Sequence, residues 1–137
     1  MKKCNKQNCE TCPYIKTGVE IKSTLNSAVA KLNSTIDCTS SNLVYCIFCN
    51  KPNCKQLYIG QTQRQLKVRF GEHKTSVRTK ARNVIGEHFV GPGHSQANME
   101  ITGLEKVRTV GESIIEKRES LWIKKFEAEH LGLDDRK

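Results

Sequence analysis

The clearest pattern of apolar and polar positions begins after residue 42. Residues 43–48 form a short apolar run rich in β-branched and aromatic side chains and bounded by polar residues, which predicts a buried strand. Residues 57–60 predict a second strand, and the turn sequence at 51–53 predicts an antiparallel hairpin. Residues 99–104 alternate in the manner of a third strand.

A first helix is predicted to follow the hairpin. Residues 62–65 read Thr-Gln-Arg-Gln and match a capping box, in which the threonine and glutamine side chains bind the first free backbone N–H groups. The apolar stripe of this helix consists of Leu66, Phe70 and Val77. Arg69 and His73 fall on the same stripe, where an ionisable side chain needs an explanation.

Two further helices are predicted. A short one covers residues 84–89 and ends before the Gly-Pro-Gly sequence at 91–93. A long one covers residues 112–129, where good helix formers are followed by a stop signal at Gly132. One face of the long helix carries Ile115, Trp122 and Phe126. Glu119 lies on that apolar face too.

The region before the hairpin has a different character. Residues 1–41 hold four cysteines and few apolar side chains, and we expect them to form a zinc-binding segment ahead of a domain at 42–137. Two periodicities compete within this segment. The helical spacing is that of Leu25, Val29 and Leu32. The strand-like alternation is that of Val19 and Ile21.

Composition narrows the class of protein. Apolar residues make up 36% of the chain, which predicts a thin core, and 23 Lys+Arg against 14 Asp+Glu leave a formal net charge of +9. Positive charge spread along the chain favours a polyanionic partner, most commonly nucleic acid. No apolar run approaches the ~18 residues that cross a bilayer, so no membrane association is expected. The absence of an export signal favours a reducing compartment, where cysteines more often bind metal than form disulfides.

Four cysteines form a first candidate zinc set. Cys4, Cys9 and Cys12 lie within nine residues of one another, and Cys38 is the nearest remaining thiol. Zinc requires four soft ligands in a tetrahedron, and closely spaced cysteines on a turn supply two or three of them. The alternative is a scatter of reduced cysteines in a loose N-terminus.

A second candidate zinc set combines Cys49 and Cys54 on the predicted hairpin turn with His88 and His94 downstream. The cysteine spacing resembles a zinc knuckle, and the histidine spacing lies at the long end of the usual gap of ~3–5 residues. The glycines at 91–93 would let His94 turn back. The alternative makes His88 a polar residue at a helix end and leaves His94 solvated. Two structural zinc ions would contribute folding free energy on the order of 10 kcal/mol each, offsetting the thin core. Cys46 is expected in the core.

Two interpretations are open for Arg69 and Glu119. A charged group on an apolar stripe is costly to bury unless it is paired or bound to an ion of opposite charge. The two residues could form a structural ion pair. Alternatively, Arg69 could bind a phosphate and Glu119 a divalent metal.

Four short motifs follow one another along the chain. They are Leu-Val-Tyr at 43–45, Tyr-Ile-Gly-Gln-Thr at 58–62, Arg-Phe-Gly-Glu-His at 69–73 and Arg-Glu-Ser-Leu-Trp-Ile at 118–123. In this order they resemble the GIY-YIG endonuclease superfamily, and more narrowly the endonuclease domain of Penelope-like retroelements. That subgroup is similar in its cysteines between the tyrosine motifs, its histidine pair after the first helix and its upstream cysteine cluster. The resemblance covers residues 38–134.

The resemblance implies an α/β (α+β) fold, with a small three-stranded, mainly antiparallel sheet flanked by helices. It also implies metal-dependent hydrolysis of a DNA phosphodiester. Tyr45 would be the base, assisted by Tyr58 or His73. Arg69 would neutralise the phosphate, and Glu119 would hold Mg²⁺ or Mn²⁺. The chain would nick nuclear DNA for retroelement insertion, fused to or acting with a reverse transcriptase.

Two positions depart from the family pattern. Leu43 and Val44 replace the glycine and isoleucine of the first motif, and Asp134 stands where the family has asparagine.

Basic residues that are candidates for contacts with the DNA backbone are Lys67, Lys74, Arg78, Lys80 and Arg82. Two other hypotheses compete with the enzyme: a catalytically inactive, zinc-dependent nucleic-acid-binding module, and a zinc-stapled protein-interaction domain.

Overall fold

A computed structural model describes residues 1–18, 20–31, 35–108, 112–126 and 128. The strands are β1 (Glu20–Lys22), β2 (Val29–Lys31), β3 (Leu43–Cys49), β4 (Leu57–Thr62) and β5 (Met99–Lys106). The helices are α1 (Leu66–Arg78), α2 (Val84–Phe89) and α3 (Glu112–Phe126). Short 3-10 turns lie at Cys12–Tyr14 and Gln96–Asn98. None of the described helices is long and apolar enough to cross a membrane.

The central sheet has the strand order β4-β3-β5, and both pairs are antiparallel. All seven residues of β3 are buried, as its continuous apolar run predicts for a strand covered on both faces. Tyr45 lies opposite Gly60 of β4 and Gly103 of β5. The predicted three-stranded antiparallel sheet flanked by helices is therefore confirmed.

The two faces of the sheet pack against different elements. Tyr45 and Ile47 belong to an apolar cluster with α1, α2 and the N-terminal segment. Val44 and Cys46 belong to a second cluster with α3 and the β1–β2 hairpin. Because side chains alternate along a strand, one apolar run serves both clusters. Cys46 is fully buried, as expected.

The N-terminal segment joins the same core rather than standing apart. Met1 and Ile15 pack in the cluster that contains Tyr45, and Ile15 pairs with Ile101 of β5. Ile21 lies opposite Ala30 in the β1–β2 hairpin, and both side chains are buried. Of the two competing periodicities, the strand-like one is confirmed at Ile21, and the helical one is wrong at Val29, which lies in β2. Val19 and Leu32 lie outside the described residues.

The predicted capping box at the start of α1 is wrong. Thr62 is the last residue of β4, where it pairs with Leu43, and its hydroxyl oxygen accepts from the Arg64 N–H at 3.1 Å. α1 begins four residues later, and its Gln65 N-cap makes no side-chain capping bond. Pairing with β3 keeps Thr62 in the strand, so a distant part of the chain must cap the helix.

The other predicted helices are confirmed in the described region. Asn83 caps α2 by accepting from the Gly86 N–H at 2.8 Å. α3 packs on β3 and β4 and buries Ile115, Ile123 and Phe126. Gly132 and Asp134 lie outside the described residues.

Candidate active site and cysteine clusters

Tyr45 and His73 meet in the core between β3 and α1. The Tyr45 Oη lies 2.6 Å from the His73 Nε2, and both residues are buried. Burial, together with the positive charge of Arg69, lowers the pKa of His73 to about 3. The imidazole is therefore neutral near pH 7, and its Nε2 is placed to accept the phenolic proton.

Tyr58 completes a group of three rings with Tyr45 and His73. Its ring centroid lies 6.4 Å from that of Tyr45 and 5.7 Å from that of His73. Gly60 makes this grouping possible, because a Cβ there would lie 2.7 Å from the Tyr45 hydroxyl and 2.8 Å from the Tyr58 ring. A glycine within a buried strand is the sequence signal for such a close approach.

Arg69 approaches the two tyrosines from α1. Its side chain is 33% exposed, and its Nη1 donates to the Glu72 Oε1 at 3.0 Å. Burial opposes the charge of Arg69, but Tyr45, Glu72 and Tyr58 together raise the pKa of its guanidinium. The arginine therefore stays charged beside the phenols.

Glu72 is a residue that the sequence analysis did not single out. Its Oε1 accepts from Arg69 and also from the Arg64 Nη2 at 2.6 Å. The Arg64 guanidinium is the main cause of the lowered pKa of Glu72. The three-residue spacing of Arg69 and Glu72 on a helix was the available signal for this pair.

Glu119 lies on α3 between Ile115 and Ile123 and is half-buried. The predicted placement of an acid on the packed face is confirmed, and α3 packs on β3 and β4, the strands that carry the two tyrosines. Trp122 is only partly buried, and its Nε1 donates to Glu105 at 2.9 Å. The roles of Glu119 in metal binding and catalysis stay predictions.

The structure brings the thiols of the first candidate zinc set together. The four Sγ atoms of Cys4, Cys9, Cys12 and Cys38 lie within 4.8 Å of one another. The Sγ atoms of Cys4 and Cys12 are 3.4 Å apart, and those of Cys9 and Cys38 are 3.7 Å apart. Four sulfur atoms placed tetrahedrally ~2.3 Å from a zinc ion would be about 3.8 Å apart. Although burial opposes ionisation, backbone N–H groups of Cys12 and Thr11 help lower the pKa of Cys9 to about 6. The donor set fits zinc.

The second candidate set converges as well. One ligand atom from each of Cys49, Cys54, His88 and His94 lies within 4.8 Å of the others. The His94 Nδ1 lies 3.2 Å from the Pro92 carbonyl, to which it can donate, while its Nε2 is buried with no hydrogen-bond partner among the described residues. An imidazole held by one nitrogen with its other nitrogen unpartnered is the arrangement of a zinc ligand. This set also fits zinc.

The basic candidate residues are accessible. Lys67, Arg78, Lys80 and Arg82 are exposed, and Lys74 is half-buried. The Lys74 Nζ lies 5.4 Å from the centroid of the Tyr14 ring and donates to the Glu10 carbonyl at 3.2 Å. Their contacts with DNA stay predictions.

Comparisons with known proteins bear on the fold and family. One solved structure, titled "Structure of the Catalytic Domain of Homing Endonuclease I-TevI", matches with a TM-score of 0.58 and 20% identity, covering 71% of this chain and 100% of that one. This likeness shows the fold. No curated protein gave a match. The family model described as the GIY-YIG catalytic domain matches residues 41–131. This chain therefore belongs to the GIY-YIG family and carries a nuclease domain of a type that implies metal-dependent cleavage of DNA.

Proposed function

We propose that the protein is a catalytically competent DNA endonuclease that hydrolyses phosphodiester bonds with the help of Mg²⁺ or Mn²⁺. The observation that carries this proposal is the 2.6 Å contact between the Tyr45 Oη and the His73 Nε2 in a buried site beside Arg69. A phenol donating to a neutral imidazole, next to a fixed positive charge, is prepared to accept a proton from water.

The proton would move in two linked transfers. As the Tyr45 oxygen takes a proton from the attacking water, its own phenolic proton passes to the His73 Nε2. The negative charge of the bound phosphate must favour this transfer, because burial by itself lowers the pKa of His73 and makes it a weak base. The water oxygen then bonds to phosphorus, and the bond to the leaving oxygen breaks. Arg69 stabilises the negative charge that develops on the phosphate by charge-assisted hydrogen bonds. Tyr58 lies beside the Tyr45 ring and assists the first transfer.

Glu119 is proposed as the ligand of the catalytic metal. A carboxylate oxygen suits a hard cation, which retains several waters as its other ligands. When bound, Mg²⁺ or Mn²⁺ would polarise the scissile phosphate and stabilise the leaving oxygen.

The two cysteine-containing sets are proposed as structural zinc sites that stabilise the fold and its DNA-binding surface. Their donor types and convergence support zinc. The first set connects the N-terminal segment with Cys38 ahead of β3, and the second connects the β3–β4 turn with the end of α2. Each metal would thereby join segments distant in the sequence.

The biological substrate is proposed to be nuclear target DNA, nicked for insertion of a retroelement. The support is the resemblance to Penelope-like endonuclease domains, in which cysteines and histidines have the same positions relative to the tyrosine motifs. A reverse transcriptase, fused or separate, would use the nick.

A supercoiled-plasmid assay tests the enzymatic proposal. We expect wild-type protein to nick the plasmid with Mg²⁺ or Mn²⁺ and to stop on addition of EDTA. Glu119→Ala is expected to bind DNA without nicking it. Binding without nicking by the wild type would favour the inactive module instead, and equal nicking by both proteins would remove Glu119 from the mechanism.

A further inference from the structure

A groove of about 1030 Å³ runs between the N-terminal cysteine loop and α1. One wall is the loop from Cys4 to Tyr14, and the other is formed by Lys67, Gly71, Lys74 and Arg78 of α1. Tyr14 of the loop lines the groove, and its ring packs on that of Phe70 in α1 with centroids 5.2 Å apart. The loop therefore lies against the helix, and the open groove between them follows α1 from Lys67 to Arg78.

The charged residues lining this groove are mostly cationic. They are Lys6, Lys67, Lys74, Arg78 and Glu10. Four thiolates with one zinc ion would carry a net negative charge, which makes the end near Cys4 and Cys9 the less favourable one for an anion. The α1 wall is the favourable side, where cations recur along one flank of the helix.

The groove and the catalytic group lie on different flanks of α1. Lys67 and Lys74 are seven residues apart, two helical turns, and line the groove. Arg69 and Glu72 pair on another flank, and His73 points into the core towards Tyr45. An anion in the groove therefore does not occupy the site where a phosphodiester would be cleaved.

The groove also divides the basic candidates into two groups. Lys67, Lys74 and Arg78 line it, whereas Lys80 and Arg82 do not. A general attraction of DNA to a basic surface would use both groups alike. Binding within the groove would use only the first group, Lys67, Lys74 and Arg78.

We propose that this groove binds the sugar–phosphate backbone of a single strand of nucleic acid, away from the strand that is cut. The proposal rests on the proposed nuclease function and deepens it. Spaced cations on one wall neutralise successive phosphates, while polar loop side chains such as Gln7 and Asn8 offer hydrogen bonds to the strand. A groove of about 1030 Å³ between one loop and one helix suits a few nucleotides of one strand rather than a duplex.

The test measures how binding depends on salt. Fluorescence anisotropy follows a labelled 20-nucleotide single strand, and separately its duplex, without added Mg²⁺. Lys67→Gln/Arg78→Gln removes two exposed groove cations, and Lys22→Gln/Lys31→Gln removes two exposed cations from the β1–β2 hairpin as a matched control. With ~0.7 counterions released per phosphate on a single strand, the negative slope of log K against log salt should become shallower by about 1.4 in the groove variant, and the control should not change it.

Four outcomes would overturn the groove proposal: an unaltered slope in the groove variant, equal slope changes in the groove and control variants, a change confined to the duplex, or an equal change in Lys80→Gln/Arg82→Gln. Thermal melting of each variant verifies that the fold is retained. Binding does not depend on cleavage, so failure of the two proposals can be distinguished. A protein that binds through the groove without nicking overturns only the nuclease proposal, whereas one that nicks with an unaltered slope overturns only the groove.

Discussion

The backbone carbonyl of Cys38 accepts a hydrogen bond from the backbone N–H of Lys67 at 2.8 Å. The neighbouring Ser40 carbonyl accepts from the Leu66 N–H at 2.9 Å, so the loop ahead of β3 caps α1, which has no side-chain cap of its own. The Cys38 thiol belongs to the first cysteine cluster. The cluster is therefore connected through one residue to the helix that carries Arg69 and His73.

We expect Cys38→Ala to remove one of two zinc equivalents per chain and to loosen the start of α1. The variant retains the backbone carbonyl that caps α1, but residue 38 is no longer held by the proposed zinc ion. Amide exchange at Leu66 and Lys67 should therefore accelerate, and nicking should fall at least tenfold. Cys46→Ala is the matched control, because Cys46 is equally buried and lies in the other apolar cluster. It should keep both zinc equivalents and the slow exchange. Equal effects of the two substitutions would contradict this coupling.

Gly60→Ala is expected to disrupt the tyrosine pair. The added methyl group would overlap the Tyr45 and Tyr58 rings, which costs about 1–3 kcal/mol of stability and displaces the phenols from His73. Chemical denaturation and the plasmid assay measure both effects. Gly71→Ala is the control within α1, since a Cβ there meets no atom of the described residues within 4 Å. This substitution should raise stability by up to about 1 kcal/mol, because alanine favours a helix over glycine. A fully active Gly60→Ala would show that the close packing is not required.

Tyr45→Phe is expected to lower kcat by about 10²–10⁴-fold, because it removes the group proposed to take the proton from water. DNA affinity should change little, since the ring and its packing are retained. Single-turnover nicking and anisotropy measure the two quantities. Tyr58→Phe serves as the comparison and should have the smaller effect on kcat. A larger loss in Tyr58→Phe would reverse the assignment of the base.

The stability of the protein should depend on His73 at acid pH. Its pKa is about 3 in the folded chain against an ordinary value of 6.5, so the unfolded chain binds more protons between these limits. The neutral, buried imidazole therefore contributes stability that is complete above pH 6.5 and is lost as the pH falls towards 3. Denaturation at several pH values should show a shallower loss for His73→Gln than for the wild type. His88 and His94 are present in both proteins, so any effect that they have on the pH dependence of stability cancels in the comparison. Parallel curves would contradict the lowered pKa.

His94→Ala is expected to remove the second zinc equivalent and lower the melting temperature by several degrees, because an open coordination position weakens a structural site. The zinc content measured by elemental analysis should fall from two ions per chain to one. The zinc ion proposed for the first cysteine cluster serves as the internal reference. An unchanged zinc content would assign His94 to another role.

Local patterns in the sequence predicted most of the regular structure. Short-range periodicity predicted β3, β4 and β5 and the apolar stripes of α1 and α3. It reports directly which side chains share one face of a strand or a helix, because side chains alternate along a strand and recur every three or four residues along a helix. The capping box at Thr62 failed for the opposite reason: its local pattern was correct, but pairing with Leu43 held the residue in a strand.

The sequence by itself determined the candidate residues and the elements that hold them, because residue type and short spacing are properties of the chain. Only the tertiary structure decided which distant groups meet: Tyr45 with His73, Cys38 with both a thiol cluster and the start of α1, and three basic residues with an N-terminal loop. These contacts between distant residues form where the sheet and the N-terminal loop pack against α1. The free energy of that packing depends on the whole core rather than on any local pattern.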